Sequence, residues 1–460
     1  MPNRADIAVI GGGPGGYTAA IRAAQRGASV VLFERDRLGG VCLNRGCIPS
    51  KALLESARRL EQARTSGEHG LRGTENASLD WPAAHARKRA VVERLRKGVA
   101  FLLNRNKIVL KTGTARLETA GRVTLRGEAE VETWEAGGVI VATGSRPAVI
   151  PGLEPDGETV LGSDDILALE SIPASVAVVG GGAIGCEWAT LFACGGSRVE
   201  LVEIMDQLLP GADADVAREI QRGFKKRGIK LHLKTKVASL DRAAGGATLV
   251  LSSGKTIRAD RVLVSVGRRP AGAEALAEGC GVRIEDGRIP VDVGTRTNVE
   301  GVHAIGDVTG EVMLAHYASH QGVVAAENLT GGDLVTNPEA VPACVFCEPE
   351  AGWVGRTRAE AEAAGLAVSE GSFPFRALGR AWAAGEVGGL VKVVAEKASG
   401  RVLGVHAVGP RATDLVAEGT LAVRHGITAA GLEETIRAHP TFPEAVGEAA
   451  GDVMGLAIHK

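Results

Sequence analysis

The sequence predicts an α/β protein: two doubly wound units with parallel sheets, followed by an α+β domain. Three observations carry this. A unit of apolar strand, glycine-rich turn, small-residue helix and second strand occurs twice, at residues 5–34 and 175–203. After about residue 337 the pattern changes to strands joined by short turns, as in VPACVFCEP and GGLVKVVAEKASGRVLGVHAVGP. The 460 residues are 45% hydrophobic and 23% charged, a soluble globular mix that excludes a disordered or coiled-coil chain.

The first unit reads ADIAVIGGGPGGYTAAIRAAQRGASVVLFE. Its strand, 6–10, runs into Gly11, Gly13 and Gly16, spaced G-x-G-x-x-G. Such glycines permit a tight turn and let backbone N–H groups, with the positive end of the following helix, approach a pyrophosphate. The second strand ends in Glu34, 23 residues after Gly11, where a carboxylate accepts ribose hydroxyls. The second unit repeats this with Gly180, Gly182, Gly185 and Glu203, again 23 residues apart. A single glycine motif is equally a strand–helix turn with no ligand. Strand context, spacing and terminal glutamate, all present twice, point to two Rossmann-like folds for two different dinucleotides. Glu203 repels a 2′-phosphate and no Arg pair follows in VEIMDQLLP, so the second site favours NAD over NADP.

Between the units, residues 51–105 are polar and helix-favouring, with a loop at 65–82. Short β-patterned segments at 108–142 close with GGVIVATGSRP, and ADRVLVSVGRRP at 259–270 closes the second unit in the same way. Pro-containing stretches near 147–155 and 268–273 read as domain crossings, and TNVEGVHAIGDVTG at 297–310 as an extended segment ending in Gly-Asp. The expected division is 1–147, 148–270, 271–336 and 337–460. Helices are expected in the last part at 357–364, 412–425 and 443–457. The last carries Gly447, Gly451 and Gly455 at four-residue spacing, a stripe suited to close packing between subunits.

Charge and cysteine usage narrow the function. Lys plus Arg is 53 and Asp plus Glu 54, a formal charge of -1, with no basic footprint for nucleic acid or an anionic membrane. No apolar run reaches the ~18 residues of a membrane helix, and the N-terminus shows no signal-peptide core. Seven cysteines argue against a secreted disulfide scaffold, so a cytoplasmic location is expected.

The stretch GGVCLNRGCIPSK places Cys42 and Cys47 five apart. In a regular helix that spacing separates the Cα atoms by about 8–9 Å, and a disulfide needs about 4.4–6.8 Å. The pair closes only across a distorted turn, which Gly46 and Pro49 permit; otherwise these are two thiols at a helix start. A short-looped, part-exposed bridge there is readily reduced, as a catalytic disulfide must be. Lys51, one turn after Cys47, stabilises a thiolate or an anionic ring. Cys344-x-x-Cys347 lacks a second ligand pair and reads as a strand, so neither metal nor redox function is assigned to it. Cys186, Cys194 and Cys280 read as packing.

GGVCLNRGCIPSK strongly resembles the redox-active signature of the pyridine nucleotide–disulfide oxidoreductases, class I. The resemblance runs from the first strand to the last helix, through the turns at Ala142–Gly144 and Ser265–Gly267, Gly306-Asp307, MLAH at 313–316 and the terminal His-Pro-Thr-x-x-Glu. It implies two Rossmann-like domains and a C-terminal dimerisation domain. FAD would lie on Gly11, Gly13, Gly16, Glu34, Lys51, Gly144, Asp307 and Ala315. NAD would lie on Gly180, Gly182, Gly185, Glu203 and Gly267, with Glu187 in that site's helix as the counter-charge of Lys51. Without the resemblance Glu187 reads as a solvated helix residue. His439 would take a proton from the incoming dithiol of the partner subunit's site, oriented by Glu444. A histidine suits that task, because thiolate is the nucleophile and thiols ionise near 8.5. Thr441-x-x-Glu444 is also a capping box for the last helix. His316 and His320 receive no role. Arg45 and Tyr317 stand where the family often has a small apolar residue and Lys, and Leu378-Gly379 interrupts a tail motif.

Within the family the residues fit the branch that oxidises protein-bound dihydrolipoamide with NAD⁺ for 2-oxo-acid dehydrogenase complexes. Such an enzyme would be a homodimer whose partner is a lipoylated carrier protein, with no metal, nucleic acid or membrane. A glutathione-reductase-like enzyme is disfavoured by Glu203, and a mercuric-reductase-like one by the end GLAIHK, which has no Cys pair. A non-catalytic flavoprotein subunit would have little reason to keep Cys42, Cys47, His439 and Glu444 together.

Overall fold

The computed structural model describes residues 3–127, 131–243 and 245–460. They gather into two compact units, one of Met1–Ala52, His85–Ala148 and Gly267–Pro338, the other of Leu53–Ala84, Val149–Val266 and Glu339–Lys460.

In the first unit β1 (Asn3–Ile10), α1 (Pro14–Gln25) and β2 (Val30–Glu34) form the first repeat. Ile7, Ala8, Val9 and Ile10 are all buried. A parallel strand covered on both faces needs such a continuous apolar run. Three helices follow, α2 (Gly40–Arg45), α3 (Cys47–Thr65) and α4 (Trp81–Arg105), with the unit boundaries falling inside α3 and α4. Then come β3 (Val109–Thr112), β4 (Thr114–Thr119), β5 (Arg122–Arg126), β6 (Val131–Val141) and β7 (Ser145–Pro147). The sheet order is β3-β2-β1-β6-β5-β4, parallel around β1 and antiparallel from β6 to β4.

In the second unit β8 (Val160–Leu161), β9 (Ser175–Val179), α5 (Ala183–Cys194), β10 (Arg198–Val202), α6 (Ala214–Lys226) and β11 (Lys230–His232) hold the second repeat. Strands β12 (Val237–Ala243), β13 (Gly246–Leu251) and β14 (Thr256–Ala259) make a separate antiparallel sheet. With β15 (Arg261–Val264) the parallel sheet reads β11-β10-β9-β15-β8. Val178, Phe192, Leu201, Ile220 and Phe224 are at the centre of its core.

The chain then returns to the first unit. β16 (Arg268–Pro270) pairs antiparallel with β7, and β17 (Val302–Ala304) extends the first sheet beside β6. α7 (Ala315–Leu329) packs on α1 through small residues: a Cβ on Gly322 would fall 2.5 Å from the Gly15 carbonyl oxygen. Gly15 meets Ala318 and Ala19 meets Gly322, so the two helices run the same way. Their positive N-terminal ends therefore lie together.

The rest of the second unit is α+β: β18 (Ala343–Val345), β19 (Ala351–Gly355), α8 (Arg358–Ala363), β20 (Val368–Pro374), α9 (Gly379–Ala384), β21 (Leu390–Glu396), β22 (Val402–Val408), α10 (Ala412–His425), α11 (Ala429–Glu433) and α12 (Glu444–Val453). Its antiparallel sheet is ordered β18-β19-β22-β21-β20 over a core with Phe373, Phe375, Val391, Val405 and Phe442. Two expectations change here. The last helix stops at Val453 rather than 457, because Gly455 turns into the left-handed region and Ile458 N–H donates to Glu448. Two of the three stripe glycines pack within the chain: a Cβ on Gly447 would stand 2.5 Å from Arg437 Nη1, and one on Gly451 3.3 Å from Glu433 Cγ, whereas one on Gly455 would meet nothing within 4 Å.

Candidate active site

The two glycine turns are built alike. A Cβ on Gly11 would fall 2.3 Å from the Ala142 oxygen, and one on Gly16 1.8 Å from the Gly11 oxygen. In the second turn Gly180 meets the Ser265 oxygen at 2.4 Å, and Gly185 the Gly180 oxygen at 1.9 Å. Gly11 and Gly180 also adopt φ of +109° and +106°, open to glycine. The middle glycines are different. A Cβ on Gly182 meets nothing within 4 Å, and one on Gly13 only Gly40 Cα at 3.9 Å. No packing inside the chain demands glycine there. Bare backbone at the N-termini of α1 and α5 leaves the cradle that an anionic pyrophosphate fits.

Each terminal glutamate is tied to its own turn. Glu34 accepts the Gly12 N–H at 2.7 Å on one oxygen and the Asp36 N–H at 2.8 Å on the other. Glu203 accepts Gly181 N–H at 2.6 Å and Met205 N–H at 2.8 Å. Each oxygen retains a lone pair for a ribose hydroxyl. A cavity of about 300 Å³ beside Glu34 is lined by Asp36, Arg37, Arg96, Lys97 and Thr112, among others.

The cysteines meet across the break that the spacing required. α2 ends at Arg45, Gly46 takes φ −139° and ψ −112°, and α3 begins at Cys47. A Cβ on Gly46 would stand 3.1 Å from the Val41 oxygen and 3.3 Å from Cys42 Cα. Ser50 Oγ donates to the Gly46 oxygen at 2.8 Å, fixing the new helix start. Cys42 and Cys47 both carry thiols, in hydrogen-bonding contact. That contact and then burial raise the Cys42 thiol far above its ordinary value, while Lys51 acts the other way. A coupled dithiol loses its protons in two steps. The pair sits against the first glycine turn: a Cβ on Gly40 would fall 2.7 Å from Gly13 Cα. Arg45 pairs with Asp36 at 3.2 Å.

Gly144 and Gly267 flank the β7–β16 ribbon, where Ala271 N–H donates to the Gly144 oxygen and Ala148 N–H to the Gly267 oxygen. Gly267, assigned from the sequence to the second dinucleotide, thus lies in the first unit. Asp307 accepts Ser145 Oγ at 2.5 Å, and Arg268 Nε donates to the same hydroxyl at 2.7 Å. Sequence reasoning missed Ser145 and Arg268, although both follow the glycine turns directly. Ala315 opens α7, at the end shared with the start of α1. Tyr317 is buried and donates to Glu311, so this departure from the family is absorbed by packing.

In the second unit Glu187 is 4% exposed and accepts the Phe346 N–H at 3.1 Å, which excludes a solvated helix residue. His439 Nδ1 lies 2.8 Å from Glu444 Oε2, and the ring is 77% exposed. Glu444 Oε1 accepts the Thr441 N–H at 2.5 Å. Thr441 Oγ1 donates to the Ala438 oxygen instead of capping, so only half the capping box forms. Glu444 serves the helix with one oxygen and the histidine with the other. Cys344 and Cys347 donate to different carbonyls, those of Thr413 and Pro349. Among the described residues no group of three or more His, Cys, Asp or Glu could hold a metal ion, and no helix is long and apolar enough to cross a membrane.

Residues 5–322 match the family described as pyridine nucleotide-disulphide oxidoreductase, and residues 341–450 match its dimerisation domain. A dihydrolipoyl dehydrogenase of Bacillus subtilis (strain 168) is 39% identical over 457 residues, covering 98% of this chain and 99% of the relative. One of Haloferax volcanii is 43% identical over 463 residues, covering 99% and 97%. The crystal structure of LpdA from Mycobacterium tuberculosis superimposes with a TM-score of 0.91 at 28% identity, over 98% of this chain and 100% of that one.

Proposed function

This chain belongs to the pyridine nucleotide-disulphide oxidoreductase family, and from that premise we propose that it oxidises protein-bound dihydrolipoamide to lipoamide with NAD⁺. The observation that carries the reading is the Cys42–Cys47 contact across the Gly46 break, held against the first glycine turn. FAD and NAD are the cofactors. FAD, when bound, carries the electron pair from the dithiol to NAD⁺. We assign FAD to Gly11, Gly13, Gly16, Glu34, Lys51, Gly144, Asp307 and Ala315, and NAD to Gly180, Gly182, Gly185 and Glu203. We keep 1–147 as the FAD domain, 148–270 as the NAD domain, 271–336 as the segment completing the FAD site and 337–460 as the dimerisation domain.

The protein's own groups divide the work as follows. His439 takes a proton from one thiol of dihydrolipoamide, and Glu444 holds the tautomer and stabilises the imidazolium. The substrate thiolate attacks Cys42 Sγ of the Cys42–Cys47 disulfide, and Cys47 leaves as a thiolate. The second substrate thiol then displaces Cys42, which leaves with the proton. Lipoamide and an enzyme dithiol result, so electrons and sulfur bonds balance. The raised Cys42 thiol, held by its contact with Cys47 and by burial, matches its departure with the proton. We assign Glu187, on the helix of the second glycine turn, to the charge balance of the electron path.

The dimerisation domain makes the protein a homodimer, with the exposed Ile436, His439, Leu456 and Ile458 on that domain available to a second subunit. In this reading His439 serves the cysteine pair of the partner subunit, the carrier is a lipoylated protein of a 2-oxo-acid dehydrogenase complex, and the location is cytoplasmic. Stopped-flow reduction of the FAD-loaded protein by dihydrolipoamide and by glutathione, with NAD⁺ and NADP⁺ as acceptors, tests it. Rapid reduction by dihydrolipoamide and turnover with NAD⁺ are expected; absence of lipoamide turnover overturns the proposal.

A further inference from the structure

The tip of the β18–β19 hairpin, residues 346–350, is built into the helices of the second dinucleotide fold. Phe346 N–H donates to Glu187 Oε1 at 3.1 Å, and Glu348 N–H to Thr190 Oγ1 at 3.3 Å. Glu187 and Thr190 are three apart on α5, so two amides two residues apart grip one helix face. Thr190 Oγ1 donates to the Cys186 oxygen at 3.0 Å, which aims its lone pairs at the hairpin. Between the two amides Cys347 is fully enclosed and donates to the Pro349 oxygen at 3.2 Å. Pro349 is seated on α6: a Cβ on Gly223 would stand 2.4 Å from its Cδ. The tip is thus fixed to α5 by hydrogen bonds and to α6 by a contact that glycine alone admits.

We propose that this hairpin tip is a positioning element for Glu187, with Thr190 as the side chain that registers it. Glu187 is a buried carboxylate on a short helix that begins at a ligand-binding turn. A buried anion needs fixed donors. The structure supplies one from a segment about 160 residues further along the chain, in the dimerisation domain. That domain therefore contributes to the orientation of a charged group of the electron path as well as to subunit contact. The inference rests on the assignment of Glu187 to the electron path.

Thr190→Val removes the acceptor of Glu348 N–H at nearly constant shape, and Thr190→Ser restores it. In FAD-loaded enzyme Thr190→Val should slow reduction by dihydrolipoamide about three- to tenfold, the worth of one hydrogen bond between neutral groups. KM should stay unchanged, and Thr190→Ser should recover the rate. The double variant Thr190→Val with Glu187→Gln should be no slower than Glu187→Gln alone, since both act through one carboxylate. A second readout needs no turnover. Alkylation of Cys347, followed by peptide mass spectrometry, should accelerate at least tenfold in Thr190→Val and in Glu187→Ala, because each removes the acceptor of a tip amide, whereas Glu187→Gln, which keeps an acceptor oxygen for Phe346 N–H, should label like wild type. Additive rate losses in the double variant, or unchanged Cys347 labelling in both Thr190→Val and Glu187→Ala, would overturn the proposal. A normal reduction rate in Glu187→Gln would instead remove the assignment beneath it.

Discussion

The matched glycine turns allow one experiment on both dinucleotide sites. A methyl carbon on Gly16 would lie 1.8 Å from the Gly11 oxygen, and one on Gly185 1.9 Å from the Gly180 oxygen. Nonbonded carbon and oxygen approach to about 3.2 Å, so Gly16→Ala or Gly185→Ala must push its helix start away by roughly 1.4 Å. An N–H···O bond of about 2.9 Å stretched by that amount exceeds the distance at which it holds. Each bond to a charged group contributes about 1.5–3 kcal/mol, and loss of even two weakens the dinucleotide by more than about 100-fold. Gly16→Ala should purify without flavin and rebind FAD at least 100-fold more weakly in a fluorescence titration. Gly185→Ala should keep its flavin and lose NADH affinity by a similar factor. Gly98→Ala is the control: no atom lies within 4 Å of the added carbon, and it should raise thermal stability by about 0.5–1 kcal/mol. Native FAD affinity in Gly16→Ala, or equal loss of FAD in Gly185→Ala, would refute the reasoning.

Three further outcomes follow from the geometry. His439→Ala should slow the reductive half-reaction by about 10²–10⁴-fold and leave flavin reduction by NADH nearly untouched, as stopped-flow traces of the two halves would show. Glu444→Ala should also lower the melting temperature, because the Thr441 N–H loses its acceptor; Glu444→Gln, which keeps an acceptor oxygen, should melt closer to wild type. Glu348 is pushed up to about 7 by burial, with Arg227 opposing and Glu61, Glu350 and Glu386 adding to the rise. A carboxyl raised above its unfolded value of 4.5 makes the native state bind more protons, so its contribution to stability falls as pH rises from about 4.5 to about 7 and is level above that. Glu348→Gln should flatten that segment of the melting-temperature profile and melt higher than wild type at about pH 8; parallel profiles would contradict it.

Local signals were legible in the sequence because their causes are local. The glycine spacing, the apolar runs of β1 and β9, the KASG turn between β21 and β22 and the need for a break between Cys42 and Cys47 all arise within a few residues. The His439–Glu444 pair is five apart and was readable for the same reason. What escaped notice depends on long-range contacts. The Phe346 donor of Glu187 lies 159 residues away, and Asp307 finds Ser145 across 162. The tie from Glu34 and Glu203 back to their own turns was missed for another reason. A carboxylate at a strand end was read for its ligand, although the exact repetition of the motif already hinted at a role in the backbone. Gly447 and Gly451 misled because small residues at helical spacing say that something packs closely, not whether it comes from a second subunit or, as here, from Arg437 and Glu433.

The bonds from Gly181 and Met205 to Glu203 bear on any effort to retarget the enzyme to a phosphorylated coenzyme. The usual engineering step, exchanging the strand-end acid for a small residue and adding a cation nearby, would release two amides along with the unwanted charge and slacken the turn it was meant to re-tailor. A redesign should begin with Glu203→Gln, which keeps an acceptor oxygen for Gly181 while discarding the repulsion, and introduce the cation only once that turn is secured.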